Sequence, residues 1–218
     1  MKKGRRAWKG KSAKWHGKKG KQFRDVHSFK LTGNETSIVT VPGTPANVAT
    51  KGPGLGVGNL AIDGNGLSRF GGIYIGTFSA CTQFNQLNTL FDRYKIHGIK
   101  VTFIPEWNIG FTTATSSALP VMKVVHDYDD SSVPTVGDVW ARQGKIYRLT
   151  RPVSCYIRPK IANTVYNGAV TSAYSVAKAP YLNMSYGSVP HYGLKFAVKD
   201  LPTGAVNTIR VETTYSVS

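Results

Sequence analysis

The chain has 218 residues, with 28 Lys and Arg against 11 Asp and Glu, a formal net charge of +17, and two cysteines. That length supports one domain with a sizeable core. The two cysteines, Cys81 and Cys155, form no CxxC pair, which excludes a disulfide scaffold and a cysteine-built zinc site and predicts buried thiols. With few acids and no GxSxG or HExxH, no catalytic residue and no cofactor is predicted.

The charge is concentrated at the start. Residues 1–24, MKKGRRAWKGKSAKWHGKKGKQFR, carry Lys2, Lys3, Arg5, Arg6, Lys9, Lys11, Lys14, Lys18, Lys19, Lys21 and Arg24 and no acid. Trp8, Trp15 and Phe23 are too few apolar side chains to offset the entropy of ordering this run, so it is predicted to be a solvated arm. A secretory signal would need an apolar stretch here, and Gly4, Gly10, Gly17 and Gly20 interrupt a presequence helix. No segment approaches the length of a membrane span, so no membrane insertion is predicted. Such a block seeks a polyanion. Lysines contact phosphate without reading sequence, glycines let the backbone follow an irregular path, and Trp8 and Trp15 can stack on unpaired bases. The thirteen cationic and Trp residues of the arm are therefore the candidate nucleic-acid-binding set.

After the arm, FRDVHSFKLTGNETSIVTV alternates loosely and predicts one or two strands. From Pro42 to Gly72 the density of glycine, with Pro45 and Pro53, predicts a long loop; GPGLGVGN lacks the GxGxxG spacing of a phosphate cradle. GGIYIGTFSA reads as a strand, and TQFNQLNTLFD places Phe84, Leu87 and Phe91 at helical spacing with Thr82 available as N-cap. In RYKIHGIKVTFIPEWN, Ile99, Val101 and Phe103 share one face, Lys100, Thr102 and Ile104 the other, and Pro105 ends the run. Further alternating segments are LPVMKVVHD, KIYRLTRPVSCYIRPKI as one long strand, YLNMSYG, YGLKFAVKD and VNTIRVETTYSV. About eight strands, one short helix and no strand-helix alternation predict an all-β antiparallel sandwich or jelly roll, residues 25–218, behind the arm.

The stretch LFDRYKIHGIKVTFIPEWN resembles a segment of circovirus-type capsid proteins: Phe91, Asp92, Tyr94 and Ile96 lead into Ile99, Lys100, Val101, Phe103 and Pro105. The order of features agrees, with a basic arm, an acidic strand end (Asp127, Asp129, Asp130), Arg158-Pro159-Lys160, a strand with His191 and Gly193, and a last strand with Asn207, Ile209, Arg210 and Val211. The arm departs from the family in being rich in lysine and glycine rather than arginine. The resemblance implies a jelly-roll coat protein of a virus with circular single-stranded DNA, sixty copies of which form an icosahedral shell around the genome. It also implies an arm inside the virion that could address the host nucleus through import factors, KKGRR and KKGK being the basic elements available; it identifies no attachment receptor.

Other readings remain open at this point. A coat protein of a small RNA virus has the same arm chemistry, and a non-viral single-strand-binding protein would add an exposed aromatic sheet face and no large assembly. A carbohydrate-binding sandwich is disfavoured by the missing secretion signal. His126, Asp127, Asp129 and Asp130 lack the Gly and terminal Glu of a calcium loop and predict a solvated strand-end turn rather than a metal site. His97 and His191 are expected to be packing or interface residues. Arg148, Arg151, Arg158 and Lys160 could face nucleic acid or the acidic cluster of a neighbouring subunit. The loops 42–72 and 162–180 are expected at subunit contacts or the outer surface.

Overall fold

Strands form wherever the apolar residues alternate. The structure, a computed structural model, describes residues 27–41, 47–64, 66–107, 119–128, 131–165, 173–202 and 206–218. In chain order the strands are β1 (Phe29–Thr32), β2 (Thr36–Val41), β3 (Asn47–Lys51), β4 (Leu55–Val57), β5 (Ala61–Ile62), β6 (Ser68–Gly76), β7 (Arg93–Tyr94) and β8 (Ile96–Pro105). They continue with β9 (Val121–Val125), β10 (Lys145–Arg148), β11 (Val153–Ile157), β12 (Lys160–Val165), β13 (Ala173–Lys178), β14 (Leu182–Asn183), β15 (His191–Leu201) and β16 (Asn207–Val217). The described residues also hold two short α-helices, α1 (Phe84–Leu90) and α2 (Val136–Ala141).

Apart from the short pair β7-β14, the described strands build two antiparallel sheets. One runs β11-β8-β16-β2-β3, with β1 also on β16. The other runs β10-β9-β15-β12-β13, with β6 on β15 and the short β4 and β5 on β6. The inner faces meet in one core. Ile99, Val101 and Phe103 of β8 and Ile209, Val211 and Tyr215 of β16 are buried there with Met122, Val124, Leu194, Phe196 and Val198 of the opposing sheet. Phe103 and Phe196 pack across the gap at 5.0 Å between ring centroids, and the hydroxyls of Tyr74 and Tyr215 share a buried hydrogen bond of 2.6 Å. Two packed antiparallel sheets with long β8, β15 and β16 are the predicted jelly-roll sandwich.

Several expectations are corrected locally. Residues 42–72 are not one long loop: β3, β4, β5 and the start of β6 lie within them. Their glycines serve close packing as well as turning. A side chain on Gly72 would meet the ring of Phe196, and one on Gly71 the carbonyl of Pro134 ahead of α2. Likewise most of the described residues of 162–180 belong to the paired strands β12 and β13, with Lys160 opposite Lys178 and Val165 opposite Ala173. The expected single strand from 145 to 161 is broken, because Pro152 and Pro159 offer no N–H to a ladder. Instead β10 pairs with β9 in one sheet and β11 with β8 in the other.

The predicted helix is present as two turns whose Phe84 and Leu87, like the following Phe91, are half-buried against the core. Its N-cap position is Gln83 and not Thr82, whose hydroxyl donates instead to the Thr32 carbonyl at 3.1 Å. The second helix was not anticipated. Thr135 and Asp138 form a capping box in which each side chain accepts from the other's backbone N–H, a signal readable as TVGD. YLNMSYG yields only the two-residue β14 and a 3-10 turn, Met184–Tyr186.

Candidate nucleic-acid interface

Lys2, Lys3, Arg5, Arg6, Trp8, Lys9, Lys11, Lys14, Trp15, Lys18, Lys19, Lys21 and Arg24 all lie outside the described residues, as do Asp129 and Asp130. What the described residues supply is the surroundings of His27, the first of them in the chain, and the basic surfaces of the sandwich.

His27 lies in an aromatic corner. His27 packs against Phe91 with centroids 5.8 Å apart, Phe91 meets Phe29 edge-on at 5.6 Å, and Phe78 stacks on Tyr94 at 4.3 Å. These rings, with Leu87, line a cavity of about 420 Å³ whose edge includes Arg93, Tyr181 and Ser218. Lys95 lies over the Tyr181 ring, 5.3 Å from its centroid.

A second cationic group lies on the outer face of the other sheet, where α2 covers β9 and β15. Val139 of α2 packs on Val125 and Ala197, and the same strand face carries Lys123 and Lys195, both buried. Because β9 and β15 are covered on both faces, neither shows the polar alternation of a half-exposed strand. Lys123 donates to the Trp140 carbonyl at 2.9 Å, and the Trp140 ring is bracketed by Lys123 and Lys199, with Lys199 4.0 Å from its centroid. Asp127 compensates part of this charge: its side chain is 3% exposed, Lys195 approaches it at 3.1 Å, and Arg142 pairs with the same oxygen. The expected solvated turn at 126–130 is therefore corrected at Asp127, an internal counter-ion rather than a partner for a neighbouring subunit. A lysine inside each of the apolar runs VMKVV and LKFAV was the legible signal that something covers those strands.

The other basic side chains are dispersed. Arg148, Arg151 and Arg158 are exposed, while Lys160 lies 4.6 Å from the Tyr128 ring centroid. On the outer face of the first sheet, Lys30 and Lys100 stand among threonines and serines of β8 and β16, and Arg210 is flanked by Glu106 at 3.3 Å and Glu212 at 3.6 Å. Among the described residues no three His, Cys, Asp or Glu side chains converge to hold a metal ion, and no helix is long and apolar enough to cross a membrane.

The circovirus capsid protein family matches residues 4–218, nearly the whole chain. The chain belongs to that family. Its fold is similar to that of the BFDV capsid protein in a 60-mer crystal structure, at 15% identity and a TM-score of 0.56 over 88% of this chain and 91% of that one. A decameric BFDV capsid protein gives 16% identity and a TM-score of 0.50, covering 88% and 96%. No curated protein sequence matches the chain.

A circovirus-family capsid protein is a structural component of the virion, and the buried polar groups fit that role. His191 is fully buried; its Nδ1 donates to the Val189 carbonyl at 2.8 Å, while Nε2 has no hydrogen-bond partner. Burial holds its pKa below the ordinary histidine value, so the ring is neutral. His97 is exposed and bonds the Ser218 hydroxyl at 2.7 Å. Both thiols are buried and free, and burial pushes Cys81 up to about 12 and Cys155 up to about 11, so neither is a thiolate nucleophile at neutral pH.

Proposed function

We propose that this chain is the coat subunit of a sixty-copy icosahedral shell and that its arm, residues 1–24, packages circular single-stranded DNA while residues 25–218 form the wall. The observation that carries the reading is the family match beginning at residue 4, so that arm and sandwich fall within one circovirus capsid protein match. The 60-mer assembly of the similarly folded BFDV capsid protein supports the copy number.

The arm's chemistry supports the packaging role. Its eleven Lys and Arg stand without an acid among them, and sixty arms would bring about 660 positive charges to one interior, enough to offset a similar number of phosphates. Phosphate contacts carry no sequence information, which suits condensation of a whole genome. Trp8 and Trp15 add stacking worth roughly 1–3 kcal/mol per base. KKGRR and KKGK supply basic elements through which host import factors could carry the subunit to the nucleus for assembly.

The test is the salt dependence of single-stranded oligonucleotide binding by the full chain. With each phosphate contact contributing a slope of about −0.7, engagement of the whole arm predicts log K falling against log salt with a slope approaching −8. A flat response would show that phosphate neutralisation by the arm is not the source of binding.

A further inference from the structure

Under α2 a buried cation without a counter-ion meets a buried N–H without an acceptor. Lys123 is 8% exposed; its ammonium group has two neutral partners, the Trp140 carbonyl at 2.9 Å and the Trp140 ring, and makes no ion pair among the described residues. Trp140 Nε1 is buried and has no hydrogen-bond partner. We propose that one small monovalent anion, of the chloride class, binds here and accepts from both the Lys123 ammonium and the Trp140 indole N–H.

The surroundings call for an acceptor from outside the chain. A buried ammonium is ordinarily paired, because a carbonyl and a ring replace only part of its lost hydration, and an orphaned buried N–H costs stability as well. Across the ladders Lys123 faces Ile146 of β10 and Ala197 of β15, so the neighbouring strands offer it no acid. Of the carboxylates beside α2, Asp127 holds Lys195 and Arg142, and Asp138 is taken up in the capping box with Thr135.

Size and charge set the class of ligand. The indole nitrogen lies beneath the protein surface, which admits a monatomic ion and not a phosphate or a sulfated chain. A water molecule would accept from the indole but leave the ammonium charge uncompensated, and Lys199, 4.0 Å from the Trp140 ring centroid, adds a second positive charge that favours an anion over water. Bound there, the ion would fasten α2 to β9. This goes beyond the packaging role and does not depend on it.

The experiment is urea unfolding of the full, nucleic-acid-free chain in sodium chloride and in sodium gluconate at equal concentration; gluconate screens surface charge alike but is too large for the site. The midpoint is expected to lie about 0.5 M higher in chloride. The difference should vanish in Trp140→Phe, which keeps a ring but lacks the N–H, and in Lys123→Met, which keeps the stem but lacks the charge. Each chain is its own reference, so a variant of lower stability still answers. Bromide gives a second reading on the folded chain: saturable quenching of tryptophan fluorescence is expected, and should be absent in Trp140→Phe. Equal midpoints in the two salts would overturn the proposal and assign a water molecule to Trp140. So would a chloride effect of undiminished size in both variants, which would place the ion elsewhere on the chain. Because no nucleic acid is present, an arm that failed to bind DNA would leave these results unaffected.

Discussion

Replacing Asp127 by Asn should destabilise the isolated subunit far more than replacing a surface carboxylate. Asp127 and Lys195 are 3% and 4% exposed at the side chain and 3.1 Å apart, so losing the carboxylate's charge takes a contacting counter-ion from a buried ammonium group under α2. Breaking one side of a buried pair costs about 3–5 kcal/mol. The second partner, Arg142, is 47% exposed and should add little, since water solvates it once released. With a urea slope of about 2 kcal/mol/M, the unfolding midpoint of Asp127→Asn should fall by about 1.5–2.5 M. Trp140, bracketed by Lys123 and Lys199, makes fluorescence a reporter of this region. The double variant Asp127→Leu/Lys195→Met removes both charges and should recover most of the loss. A midpoint shift below about 0.5 M for Asp127→Asn, or a double variant as unstable as the single, would refute the assignment of Asp127 as counter-ion for Lys195.

Acid should weaken the subunit through His191. Its folded pKa lies below the ordinary 6.5, so the unfolded chain binds the proton more readily and stability, complete above that value, is lost as pH falls below it. Unfolding midpoints between pH 7.5 and 5 should decline below about 6.5 and flatten in His191→Gln; an unchanged profile in that variant would assign the decline to other groups. Tyr215→Phe should cost about 1 kcal/mol by removing one of the two partners, Tyr215 and Thr213, of the buried Tyr74 hydroxyl, and Tyr74→Phe/Tyr215→Phe should cost less than the sum of the two single changes, as judged by urea unfolding.

Much of the framework was legible because the long strands obey strict alternation. In β16, Ile209, Val211, Thr213, Tyr215 and Val217 are buried as the period-two pattern requires, and β8 ends at Pro105 as its missing N–H dictates. Legibility failed where one signal had two physical causes. Glycine between 42 and 72 was read as loop, yet Gly71 and Gly72 sit inside β6 because Pro134 and Phe196 approach its backbone, a tertiary demand that no local pattern records. The segments around Lys123 and Lys195 were read as alternating strands and their cover was missed, since α2 is only six residues long and too short to display a helical period. At the arm the situation is reversed: charge pattern speaks without tertiary structure, so its chemistry could be argued while its path lies outside the described residues. Asp127 was misread because burial of a carboxylate depends on Lys195, 68 positions away, and on α2, whose capping-box signal TVGD went unread.

The central claim is most directly tested by the mass and the 260-to-280 nm absorbance ratio of particles assembled from the full chain, set beside a chain whose eleven arm Lys and Arg are replaced by Ser. The account predicts uniform particles of sixty subunits carrying nucleic acid for the first, matching the 60-mer of the similarly folded capsid protein, and the same subunit fold without nucleic acid for the second. A full chain that remains a monomer or dimer while binding single strands, or a neutral-armed chain that protects a full-length genome, would contradict it.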